Sequence, residues 1–68
     1  MKEFKIKDEY IKLGQLLKAA GIADTGLDAK DMILSGEIFV NGNPEQRRGR
    51  KLYPGDKVQA YSEEISIV

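Results

Sequence analysis

Arg47, Arg48, Arg50 and Lys51 place four of the chain's eleven cations within five consecutive positions, in the stretch PEQRRGRKLYPGD, residues 44 to 56. The chemistry open to such a run is anion recognition, because a guanidinium offers a planar fork to phosphate oxygens and Gly49 lets another backbone come close. A second reading makes the same residues the outward side of an exposed edge strand, charged to discourage strand-to-strand aggregation. Tyr53 could stack on a base, yet Tyr10, Tyr53 and Tyr61 fit equally well as half-buried core residues, so recognition of a backbone or a shape fits the run better.

Other chemistry is limited by composition. The chain has neither histidine nor cysteine, so a nucleophile with a histidine base, a thiolate metal site and a disulfide framework are all ruled out. GRKLYPG and SGEIFVNG lack the spacing of a phosphate-cradling loop. Asp28 and Asp31 stand three apart and could share a proton or a metal, but helix capping and the helix dipole account for both. The expectation is a protein that is not an enzyme, with no catalytic residue, no metal and no cofactor. Eleven acids balance eleven cations, so the molecule exerts no strong long-range pull on nucleic acid, and any such binding is local. In the basic stretch Glu45 stands against four cations, and the excess is balanced elsewhere by Asp24, Asp28, Asp31, Glu63 and Glu64.

The elements that must position these residues follow from periodicity. Sixty-eight residues support one small core, so residues 1–68 read as a single domain. Phe4-Lys5-Ile6-Lys7 alternates as a short strand does. Ile11, Leu13, Leu16, Leu17 and Ala20 recur at helical spacing, which predicts a first helix from about Glu9 to Ala20, closed by Gly21. Thr25-Gly-Leu-Asp28 has the form of a capping box and opens a second periodic run through Leu27, Ala29, Met32, Ile33 and Leu34, closed by Gly36. Ile38-Phe39-Val40 followed by Asn41-Gly42 is a strand entering a hairpin. The chain returns through the basic stretch to Leu52, turns at Tyr53-Pro-Gly-Asp56, and ends in strands over Val58–Tyr61 and Ile65–Val68. The whole is an α+β domain. No apolar run is long enough for a membrane span, and MKEFKIKDEYIK lacks the core of a signal peptide. A soluble, cytoplasmic protein without a membrane partner is expected.

The run IKLGQLLKAAGIADTGLDAKDMILSGEIFVNG, with the later PGD, resembles the S4-type RNA-binding domain, or alpha-L motif. The likeness is strongest over residues 11–58, and the RRGRK block and small size look most like the stand-alone bacterial members of the YaaA/YbcJ type. The resemblance implies two helices packed on a small, bent, mostly antiparallel sheet, with a surface that grips structured RNA. Ribosomal and transfer RNA are the implied partners, and a ribosomal or other ribonucleoprotein complex is the implied setting. Carried over by position, Lys12, Gln15 and Lys30 match contact positions of the family pattern. Lys18, Thr25 and Asn41 complete the helix and hairpin side of the expected site, although Asn41 reads first as a turn residue. Gly14 stands where the family usually has Asp, Asp24-Thr25 where it has Ser-Arg, and Glu37 where a cation is common. The expectation is therefore that Arg47, Arg48, Arg50 and Lys51 supply compensating charge.

Two rivals remain. A β-grasp carrier shares features with Phe39-Val40-Asn41-Gly42 and Leu52–Val58, but such carriers end in Gly-Gly, whereas this sequence ends Ile65-Ser-Ile-Val68. A protein-interaction domain would turn the basic edge towards an acidic partner. DNA stays open as a ligand, because phosphate contacts do not distinguish the sugars.

Overall fold

The computed structural model describes residues 2–68. Its first helix, α1 (Leu13–Ala19), buries Leu13, Leu16 and Leu17 along one stripe. It starts four residues later than the periodicity predicts, and the reason is competition from a strand. Tyr10-Ile11-Lys12 also alternates, and Ile11–Lys12 forms β2, which pairs antiparallel with β5 (Lys51–Leu52). The helix start is then fixed from outside, because the first N–H groups of α1 donate to the basic stretch: Leu13 N to Arg50 O at 2.8 Å and Gly14 N to Arg48 O at 3.0 Å. These donors have no partner within a helix, so the loop supplies their acceptors.

The second helix, α2 (Gly26–Leu34), opens as expected. Thr25 caps it, its Oγ1 accepting from the Asp28 N–H at 3.1 Å. Ala29 and Ile33 are buried and Met32 packs against the core. Leu27 and Leu34 lie outside the buried stripe, 65% and 54% exposed. The apolar face of α2 is narrower than the sequence run suggests: Ala29, Met32 and Ile33 meet the core.

The five-stranded sheet has the order β1-β7-β6-β3-β4. Its central strands, β6 (Lys57–Ala60), β7 (Glu63–Ile67) and β3 (Ile38–Val40), are antiparallel and present Val58, Ala60, Ile65, Ile67, Ile38 and Val40 to the core. β1 (Lys2–Phe4) adds to β7 in parallel. The expected strand over residues 4–7 thus lies earlier, although Ile6 still follows β7, donating to Val68 O at 3.1 Å. The last strand begins two residues earlier than expected, at Glu63, after a turn in which Tyr61 takes a φ of 58°. This is the expected α+β architecture of two helices on a small, mostly antiparallel sheet.

The hairpin turn is where Asn41-Gly42 predicts it, with φ of 52° and 85° at the two residues, the signs a type I′ turn requires. Its return arm, β4 (Asn43–Pro44), is only two residues long. Residues 45–50 then leave the sheet as a loop, so the edge-strand reading of the arginines does not hold; of the four cations only Lys51 is in a strand, and that strand pairs with β2. Among the described residues no helix is long and apolar enough to cross a membrane.

Candidate nucleic-acid interface

Glu45 shapes the loop that carries the arginines. It is the one buried charged residue among the described residues, 7% exposed. Its carboxylate accepts from the Arg47 backbone N–H (3.2 Å), from Arg47 Nε (3.1 Å) and Nη2 (3.2 Å), and from Arg50 Nη1 (2.6 Å). Hydrogen bonding from Arg47 is the largest influence on its acidity and, with Arg50, overrides the upward push of burial, holding the carboxyl at about 2. The same contact raises the Arg47 pKa. Charge-assisted, bidentate pairing of this kind fixes geometry as well as charge. The loop therefore closes on its own acid, which pairs with two of the four cations, Arg47 and Arg50.

Arg48 goes elsewhere. It carries no ion pair among the described residues, and its side chain lies across α1 at Gly14. A Cβ built on Gly14 would stand 2.7 Å from Arg48 Cγ. The glycine found where the family pattern has Asp thus makes room for the arginine, and the two departures from that pattern are one adjustment. A groove of about 310 Å³ is lined by Arg48 and Gly49 of the loop, by Lys12, Gly14, Gln15 and Lys18 at and along α1, and by Gly26 and Ala29 of α2. Among the described residues no carboxylate lines it. Gln15 Oε1 approaches the Lys12 N–H at 3.4 Å, which leaves its amide N–H₂ available as a donor.

The β2–β5 ribbon adds a second cationic feature. Its register sets Lys12 opposite Lys51, and like charges directly opposite on an antiparallel pair are unfavourable. One residue further, Tyr10 meets Tyr53 with ring centroids 6.0 Å apart. Lys51 Nζ sits 4.8 Å from the centre of the Tyr10 ring, a cation–π distance. Ile11 and Leu52 fill the inner side of the ribbon, so alternation turns Tyr10, Lys12, Lys51 and Tyr53 to its outer side. Tyr53 is 42% exposed. The sequence leaves the tyrosines open between half-buried core and, for Tyr53, a stacking surface. The signal that identifies them is the mirrored triplets Tyr10-Ile11-Lys12 and Lys51-Leu52-Tyr53, each an aromatic and a cation flanking an inward aliphatic.

The remaining expected residues divide. Lys30 is exposed and follows Gly26 by four on α2, which places it on the flank that borders the groove. Thr25 has its hydroxyl engaged in the helix cap. Asn41 is distant in role: its Nδ2 donates to Asp56 Oδ1 (3.1 Å) and its Oδ1 accepts from the Lys57 N–H (2.9 Å), tying the hairpin to the Pro54-Gly55 turn. Among the described residues no cluster of acidic side chains is placed to hold a metal ion.

Comparison with known proteins bears on the family and the fold. The model of the S4 domain matches residues 4–68. The chain is 48% identical over 54 residues to the probable ribosome maturation protein RlbA of Bacillus subtilis, covering 79% of this chain and 76% of that one. It is 40% identical over 47 residues to the small ribosomal subunit protein uS4m of Schizosaccharomyces pombe, covering 69% of this chain and 14% of that protein. The solution structure of YbcJ from Escherichia coli, described as revealing an alpha-L motif involved in RNA binding, superposes with a TM-score of 0.76 at 30% identity, over 100% of this chain and 87% of that one.

Proposed function

The chain belongs to the S4 domain family, and on that premise we propose that it is a non-catalytic module that binds structured RNA through the groove between α1, α2 and the basic loop. Residues 1–68 act in this as one unit. The observation that carries the reading is the convergence of Lys12, Lys18 and Arg48 on a groove without an acid. Positive side chains held close together at a concave surface favour a polyanion, and the opposed Lys12 and Lys51 are relieved by a phosphate between them. Lys12, Lys18, Lys30, Arg48 and Lys51 contact phosphates, and Gln15 offers its amide to a ribose hydroxyl, the group that separates RNA from DNA. Arg47 and Arg50 add charge while holding the loop. Thr25 and Asn41 serve through the shape of the cap and turn they make. The ribosome maturation relative supports ribosomal RNA ahead of transfer RNA, with the cytoplasm and a ribonucleoprotein particle as the setting.

The test is binding to a structured RNA and to a matched DNA duplex across a salt series, with wild type and Lys12→Ala/Lys18→Ala/Arg48→Ala. Four to five phosphate contacts give a slope of log K against log salt of about −3 to −4. The triple variant is expected to fold and to flatten that slope by about 2 to 3. Equal affinity for RNA and DNA would remove the ribose contact, and binding that survives nuclease treatment would favour a protein partner instead.

A further inference from the structure

A second hollow lies on the other side of the exposed stripe of α1. It measures about 590 Å³, within the range of about 300–1,000 Å³ typical of small-molecule sites. Phe4, Ile6, Tyr10, Ile11 and Ala19 give it an apolar lining. Polar groups come from Lys5 and Lys7 on the N-terminal segment, from Asp8, and from Gln15 and Lys18 on α1. The wall made by Phe4 and Ile6 is anchored, because Val68 N donates to Phe4 O at 3.0 Å and Ile6 N to Val68 O at 3.1 Å.

Two features say what fits here. Gln15 and Lys18 line both this hollow and the cationic groove, so the two sites share the α1 ridge and a strand lying in one can reach the other. The hollow also combines aromatic rings and aliphatic side chains with cations at positions 5, 7 and 18, the combination that single-stranded nucleic acid requires: a surface for the base and charge for its phosphates. We propose that this hollow receives one unpaired nucleotide of the RNA held in the groove. The base lies against the apolar lining, its neighbouring phosphates meet Lys18 and the Lys5–Lys7 side, and Gln15 offers its amide to a base edge or ribose. The site thereby selects RNA with a bulged or looped-out nucleotide, an identity that phosphate contacts in the groove cannot provide. This inference rests on the RNA-binding reading.

The probes are an RNA hairpin stem with one bulged adenine and the same stem fully paired. Ala19 is exposed and lines the hollow from the end of α1, so Ala19→Trp narrows the space for a base without entering the core. Wild type is expected to favour the bulged stem by about 5- to 150-fold, the range of one base stack. Ala19→Trp loses that preference and keeps the affinity for the paired stem. A preference that survives Ala19→Trp, or none in wild type, overturns the nucleotide site and leaves the groove reading standing. Failure to bind either stem overturns both. A readout independent of the variant is the difference in amide chemical shifts between the two wild-type complexes: changes centred on residues 4–11 and 15–19 support the site, and changes confined elsewhere refute it.

Discussion

Glu45→Gln tests the premise that the basic loop is held by its own acid. Glutamine keeps the volume and one acceptor but removes the charge that faces Arg47 and Arg50. Glu45 titrates at about 2 in the folded chain against an ordinary value of 4.5. A displacement of that size corresponds to about 3 kcal/mol unscreened. The Arg47 side chain, however, is 75% exposed, and solvent screening leaves about 1–2 kcal/mol. For a chain this short that is a loss of about 5–15 °C in Tm at pH 7. The pH dependence gives the decisive signature. Because folding lowers this pKa, the unfolded chain takes up the proton first as the medium is acidified; the stabilisation is complete well above pH 4.5 and drains as pH falls towards 2. Protonated Glu45 and glutamine are near isosteres, so the gap between wild type and variant, followed by circular dichroism, closes near pH 2. A gap that is absent at pH 7, or as wide at pH 2 as at pH 7, would refute the ion-pair account of the loop.

Gly14→Ala places a methyl group against Arg48 Cγ. Alanine's helix preference of about 1 kcal/mol offsets the crowding, so the Tm is expected to hold while Arg48 is displaced and the salt slope of RNA binding falls by about 1; unchanged binding would show that Arg48 does not act from this position. Lys12→Glu converts the opposed lysine pair at Lys51 into an attractive one, raising stability by about 0.5 kcal/mol in urea unfolding while weakening RNA binding at least tenfold. Thr25→Ala removes the cap on α2 and lowers stability by about 1 kcal/mol, with RNA affinity at 10 °C unchanged if Thr25 acts only through the cap.

The fold was legible wherever a local rule had no competitor. Asn41-Gly42 specifies its turn by backbone sterics alone, and Thr25 with Asp28 specifies a helix start through a bond three residues long. Residues 9–12 were misread because two periodicities overlap there: Ile11 suits either the helical stripe of Leu13, Leu16 and Leu17 or a strand with Leu52, and the partner 41 positions away decides it. The family resemblance pointed to Lys12, Gln15 and Lys30, of which Lys12 and Gln15 line the groove. It could not divide the RRGRK block, since nothing in the order of those residues says that Glu45 takes Arg47 and Arg50 and leaves Arg48 to α1.

That division explains how a chain with no net charge can present a surface for a polyanion. Had all four cations of the block projected outward, the loop would bind any phosphate backbone, and its mutual repulsion would work against its own fold. Glu45 ties Arg47 and Arg50 into the loop and offsets one of their two charges, and the carbonyls of Arg48 and Arg50 close the start of α1. The charge that remains at the groove is small, but it is directed: Lys12, Lys18 and Arg48 converge there from β2, α1 and the loop, which the α1 start and the β2–β5 ribbon hold together. The opposed Lys12 and Lys51 are a local arrangement that stability alone does not favour. Under the proposed function, a phosphate lying between them would complete the electrostatics of the ribbon.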